Sequence, residues 1–193
     1  MKNEELYESL NYVDHSREKR NKMAQMIVNH PQLVAPLLKI AFMVDDPISS
    51  KACWILEYMA KEKLSYLYDH LDLFTSKITE VHLDSSVRPV AKVCEYLITS
   101  YFSEAKNEIQ KVMTSNHLER ITTACFDWLI GNHKVAAKAY SMTCLLLLGK
   151  KYSWILPELQ LILEQNYAAG SAAYKARARM TLAKIKKGAK ALN

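Results

Sequence analysis

Four stretches of this chain share one plan: an apolar-periodic segment, a short turn, then a second apolar-periodic segment built round a small residue. The small residues are Cys53, Ala91, Ala139 and Ala178, at intervals of 38, 48 and 39. One pair of amphipathic helices cannot bury its apolar faces alone, whereas several pairs stacked in register share a continuous core. The spacing therefore predicts an all-α chain of antiparallel helix hairpins. It forms a single domain over 1–193, with units at about 5–30, 31–66, 67–102, 103–150 and 151–188 and a short tail at 189–193.

The punctuation between segments agrees. Asp46 can cap and Pro47 suits a first helical position, so a second helix is expected over about 47–62, with Cys53, Leu56, Met59 and Ala60 inward. "LDSS", from Leu83, reads as the turn of the next hairpin. Gly131 and Gly149 end helices, and Gly170 occupies a turn. Asn116 and Glu119 could form a capping box after "TSNH". "SEAKNEIQKVM", 103–113, reads as an extra helical piece that lengthens one interval to 48. In the first unit, "SREKRNKMAQMIVNH" is the expected second helix. Trp128 and Trp154 fall in first helices and are expected to pack between units, with Asp127 solvated beside Trp128.

Val87, Arg88 and Ala91 form V-R-x-x-A, which resembles the inner-helix signature of HEAT repeats. "LVAPLLKIAF" and "SWILPELQLIL" resemble the outer-helix pattern, in which a Pro follows the first apolar residues. The other units depart from the signature: Ser50 and Ala136 stand where Arg is usual, and Tyr174 where Val is. The resemblance to HEAT and armadillo-like repeats covers nearly the whole chain. It implies a right-handed α-solenoid, an α–α superhelix with first helices outside and second helices lining a concave face.

Signals of chemistry are missing from the sequence. The six histidines form no HxH, HxxxH or HExxH spacing, so no metal site is expected. No two of the four glycines lie close together, which removes GxGxxG and GxxxxGK phosphate loops and leaves no expected cofactor. There is no GxSxG elbow. Ser85-Ser86-Val87-Arg88-Pro89 is the nearest stretch to the mobile-loop pattern of the all-helical fumarase and adenylosuccinate lyase group, but Arg88 stands where Met belongs and the Lys is missing. No catalytic residue is expected, and the chain reads as a non-enzyme. Cys53, Cys94, Cys125 and Cys144 lie inside apolar helical patterns, as buried free thiols of a reducing compartment do. The acidic start, "MKNEELYESLNY", lacks a secretory h-region, and no apolar stretch reaches the length of a membrane span. A cytoplasmic protein without membrane contact is the expectation.

A surface remains. Residues at −3, +1, +4 and +8 from each small residue share one helix face. Trp54, Glu57, Arg88, Lys92, Glu95, Tyr140, Lys175 and Arg179 are therefore the candidate concave-face binding residues. Tyr58 and Tyr96 are expected to point elsewhere. Aromatic and Arg anchors suit a protein or peptide partner, which is the leading expectation. Alternatively, Glu57 and Glu95 simply pair with Arg88, Lys92 or Arg179 across neighbouring helices. The competing function is nucleic-acid binding, since bacterial glycosylases of alkylated DNA bases are HEAT-like and use a basic concave face with Trp, Asp and Arg. Net charge is +6, but residues 171–193 hold seven cations and no acid, so the remainder sums to −1. A phosphate track needs a row of cations, and Glu57 and Glu95 interrupt it.

Overall fold

The structure, a computed structural model, describes residues 3–190. Those residues are all-α, without strands. The helices are α1 (Asn3–Leu10), α2 (Arg17–Asn29), α3 (Val34–Ala41), α4 (Pro47–Glu62), α5 (Leu71–Lys77), α6 (Asp84–Tyr101), α7 (Ile109–Val112), α8 (Ser115–Ile130), α9 (Val135–Leu148), α10 (Ile155–Tyr167) and α11 (Ala172–Lys190). Of the expected tail, 189 and 190 continue α11, and 191–193 lie outside the described residues.

Local chemistry sets most boundaries. Asp46 Oδ1 accepts the Ile48 N–H at 2.8 Å and Pro47 opens α4. Gly131 and Gly149 follow the last residues of α8 and α9. The cap of α8 uses different residues from those expected. Thr114 accepts from the His117 N–H, and His117 Nδ1 accepts from the Thr114 N–H. The imidazole therefore takes the role expected of a carboxylate. α6 begins at Asp84, so the Asp-Ser-Ser run lies inside the helix and the turn is made upstream of it. Of 103–113, only Ile109–Val112 is helical. The Asn107 amide donates to the carbonyls of Ser100 and Ala105, and the Gln110 amide to those of Tyr101 and Ser103. Side chains thus satisfy backbone groups that a helix would otherwise pair.

The longer helices form a chain of contacts: α2 packs on α4, α4 on α6, α6 on α9 and α9 on α11. α3 packs on α4, α8 on α9, and α10 on both α9 and α11. α5 packs on α8. That contact is reinforced by Asp72, which meets His117 Nε2 at 3.0 Å and Arg120 Nη1 at 3.3 Å. Hydrogen bonding from His117 holds the Asp72 carboxyl below its ordinary pKa.

One apolar core runs from Leu6 to Ile185. Each fully buried Leu, Ile or Phe in it contributes roughly 1.5–3 kcal/mol. Cys53, Ala91 and Ala178 are buried as expected. In α9, however, Ala137 is buried and Ala139 is only half-buried. Ala137, Ser141, Leu145 and Leu148 form the inward row there. Trp128 is buried at 2 % exposure, whereas Trp154 is 56 % exposed and stacks on Phe126 with ring centroids 5.6 Å apart. Trp154 immediately precedes α10 as its N-cap residue, with much of its ring left in solvent.

Candidate functional site

α4, α6 and α9 bring five of the candidate residues into one polar chain. Arg88 on α6 grips Glu57 on α4 with two parallel bonds, Nη1 to Oε1 at 3.1 Å and Nη2 to Oε2 at 2.6 Å. The Glu57 side chain is only 11 % exposed and that of Arg88 31 %. Tyr140 on α9 lies beside Arg88. One helical turn along α6, Lys92 donates to Glu95 and its ammonium stands 4.6 Å from the Tyr140 ring and 4.9 Å from the Tyr96 ring. Desolvation opposes the charged form of Lys92 most, but the hydrogen bond and charge of Glu95, with smaller charge effects of Tyr96 and Tyr140, together outweigh it, so the Lys92 pKa is raised.

Trp54 belongs to the same face but is engaged from two sides. Its Nε1–H donates to the Ser85 carbonyl at 2.8 Å, and the Arg20 guanidinium lies 4.2 Å from its ring. The His15 ring approaches the indole at 5.2 Å. Beneath it, the Ser50 hydroxyl lies 2.7 Å from that of Ser85 and 2.8 Å from that of Ser86, continuing the link between α4 and α6.

The two candidates on α11 stand apart from this chain. Arg179 is exposed and lines a hollow with Glu164, Tyr167 and Leu182, toward α10. Lys175 is half-buried near the start of α11. Arg177 occupies the place expected of them: its Nη2 donates to the Thr143 hydroxyl and lies 4.0 Å from Glu95 Oε1. Ala178 is the inward residue of α11 as aligned, but the cation that reaches α9 is Arg177, one residue before it, and not Lys175 or Arg179.

Next to the chain, α2, α4 and α6 enclose an open basin of about 870 Å³. Its cations are Arg17, Arg20, Lys61 and Arg88, and its carboxylates Glu57 and Glu62. Tyr58 and Tyr96 also line it, which corrects the expectation that they point elsewhere. His15, Arg17 and Arg20 were not singled out by the repeat pattern, because the first unit has no V-R-x-x-A to index. The one available signal was the charge density of "SREKR" at the head of an otherwise amphipathic helix.

No protein-family model, curated protein or solved structure matches the chain. The geometry alone bears on what the site can do. Among the described residues, no group of three or more His, Cys, Asp or Glu could hold a metal ion, and no helix is long and apolar enough to cross a membrane. The four cysteines are buried free thiols, and burial pushes the Cys53 thiol up to about 12. Burial also pushes the Cys94 and Cys144 thiols up, so none of these three is an activated nucleophile. What the face offers is fixed charge, aromatic rings and shape.

Proposed function

We propose that the protein is a non-catalytic binding or scaffold protein, built as a short HEAT-like α-solenoid whose concave face holds a protein or peptide segment. The observation that carries this reading is the polar chain across α4, α6 and α9, in which Glu57–Arg88 and Lys92–Glu95 fix charged groups beside the Tyr96 and Tyr140 rings. Rigid aromatic and charged side chains, held by partners on neighbouring helices, recognise a segment without ordering cost on the protein's side. The succession α2, α4, α6, α9, α11 supports the solenoid, since each contacts the next as second helices of stacked hairpins do.

A nucleic-acid groove is the weaker reading. Lys92 is closed onto Glu95 and Arg177 lies within reach of the same acid, so the cations along the chain are already answered. Neutralising successive phosphates needs cations free to do so.

The test is a partner captured from native lysate, identified, purified and titrated against wild type and a Lys92→Ala/Tyr140→Ala variant. Removing Lys92 does not strand Glu95, because Arg177 remains 4.0 Å away. The expected result is a loss of affinity of about tenfold or more with an unchanged helical spectrum. Equal affinity in a folded variant overturns the assignment of this face.

A further inference from the structure

We infer that the basin between α2, α4 and α6 receives an acidic peptide segment, whose carboxylates meet Arg17 and Lys61. The inference rests on the scaffold reading and names the chemistry of its partner. The four basin cations differ in how far they are already used. Arg88 is held by both oxygens of Glu57. Arg20 donates to the Asp14 carbonyl at 3.1 Å and lies over Trp54. Arg17 and Lys61 are exposed and make no ion pair among the described residues. The nearby Glu62 carboxylate takes the neutral amide of Gln25 at 3.2 Å and so keeps its negative charge, but the basin's four cations still exceed its two carboxylates. Tyr58 and Tyr96 add phenolic rings to the same wall.

A basin of about 870 Å³ falls in the range of ligand sites, roughly 300–1,000 Å³, but its lining is charged where small-molecule pockets are mostly apolar. Its occupant is therefore polar and anionic. Along α6 and α9 the basin's free positive charge is confined, because Lys92 and Arg177 beyond it are engaged with Glu95; the exposed Arg179 of α11 lies further on, apart from the chain. A local cluster of carboxylates fits that confinement. A nucleic-acid backbone, with a charge at every nucleotide, would have to continue past the fixed Glu57 and Glu95 carboxylates. Charge complementarity also favours rapid encounter with an acidic segment and makes it salt-dependent.

The experiment is a fluorescence-anisotropy titration of the full chain with a labelled oligoglutamate peptide, a matched oligoglutamine peptide and a labelled DNA duplex. Wild type, Arg17→Ala/Lys61→Ala and Arg17→Lys/Lys61→Arg are compared, with circular dichroism as the control for folding. Oligoglutamate is expected to bind, oligoglutamine not, and the alanine variant to lose about tenfold or more while the charge-preserving variant keeps its affinity. Unchanged oligoglutamate binding by the alanine variant overturns the inference, as does failure of oligoglutamate to bind at low salt. Tighter binding of the duplex than of oligoglutamate, lost in the alanine variant, overturns it in favour of a phosphate site. The scaffold reading fails separately: it falls only if the Lys92→Ala/Tyr140→Ala variant holds the captured partner as wild type does.

Discussion

Trp54 donates its indole N–H to the Ser85 carbonyl at 2.8 Å, and this is the carbonyl that Pro89, four residues further along α6, has no N–H to fill. A proline inside a helix leaves the acceptor four residues upstream without its usual donor. Here the neighbouring helix α4 supplies one. The sequence feature that weakens α6 locally thus becomes a point of attachment between two units, reinforced by the hydroxyls of Ser50, Ser85 and Ser86.

The Trp54 and Pro89 effects on stability should therefore be coupled. Trp54→Phe keeps most of the packing and removes the donor, at a cost of about 1 kcal/mol. In a Pro89→Ala background, the new backbone N–H can serve Ser85, and the cost of Trp54→Phe should shrink. Urea unfolding of the four proteins in this cycle measures the coupling. Equal costs in the two backgrounds would refute the link.

Arg88 and Glu57 should respond asymmetrically to removal. Arg88→Ala leaves a carboxylate that is 11 % exposed without its cation, whereas Glu57→Gln leaves a guanidinium that still reaches water at 31 % exposure. A loss of about 1–3 kcal/mol is expected for Arg88→Ala, between the values for exposed and fully buried pairs. Glu57→Gln should cost less. Thermal denaturation of both variants checks the order, and a larger loss for Glu57→Gln would contradict it.

The three tryptophans should separate in quenching experiments. Trp128 is buried, Trp54 is half-buried under Arg20, and Trp154 is 56 % exposed. Acrylamide should therefore act chiefly on Trp154, and Trp154→Phe should remove most of the quenchable emission. Similar quenching before and after that substitution would argue against the exposed stack with Phe126.

These particulars show which links were legible in the sequence. Asp46-Pro47 marked the start of α4, and Gly131 and Gly149 marked helix ends, because capping and turn chemistry is local. The register of α9 was not legible, because "YSMTCLLLL" is apolar almost all round and carries no polar face to set a period. On α11 the inward Ala178 was legible, but the cation that meets Glu95 was not: Lys175, Arg177 and Arg179 alternate with small residues, so several faces look alike. The Glu57–Arg88 pairing was anticipated as one alternative, since charges across neighbouring helices usually pair. The basin was hidden because its walls come from α2, α4 and α6, and no single-helix pattern contains a surface shared by three.

The buried thiols give a prediction with a definite sign. Burial raises the Cys53 thiol to about 12 and also pushes Cys94 and Cys144 up, so each stays protonated in the folded state near neutrality. In the unfolded chain thiols ionise near pH 8.5. A raised folded pKa contributes its stability in full below the unfolded value, and that contribution is lost as pH rises toward the folded one. Urea midpoints should therefore hold steady below about pH 8 and fall progressively toward pH 12, where the lysines and tyrosines also titrate. Replacing Cys53 with Ala, whose side chain cannot ionise, should flatten part of that fall. In parallel, a thiol reagent at pH 8 should label the native protein slowly and all four cysteines rapidly in denaturant. Fast native labelling, or an alkaline profile identical in Cys53→Ala, would show that these thiols are not held neutral by the core.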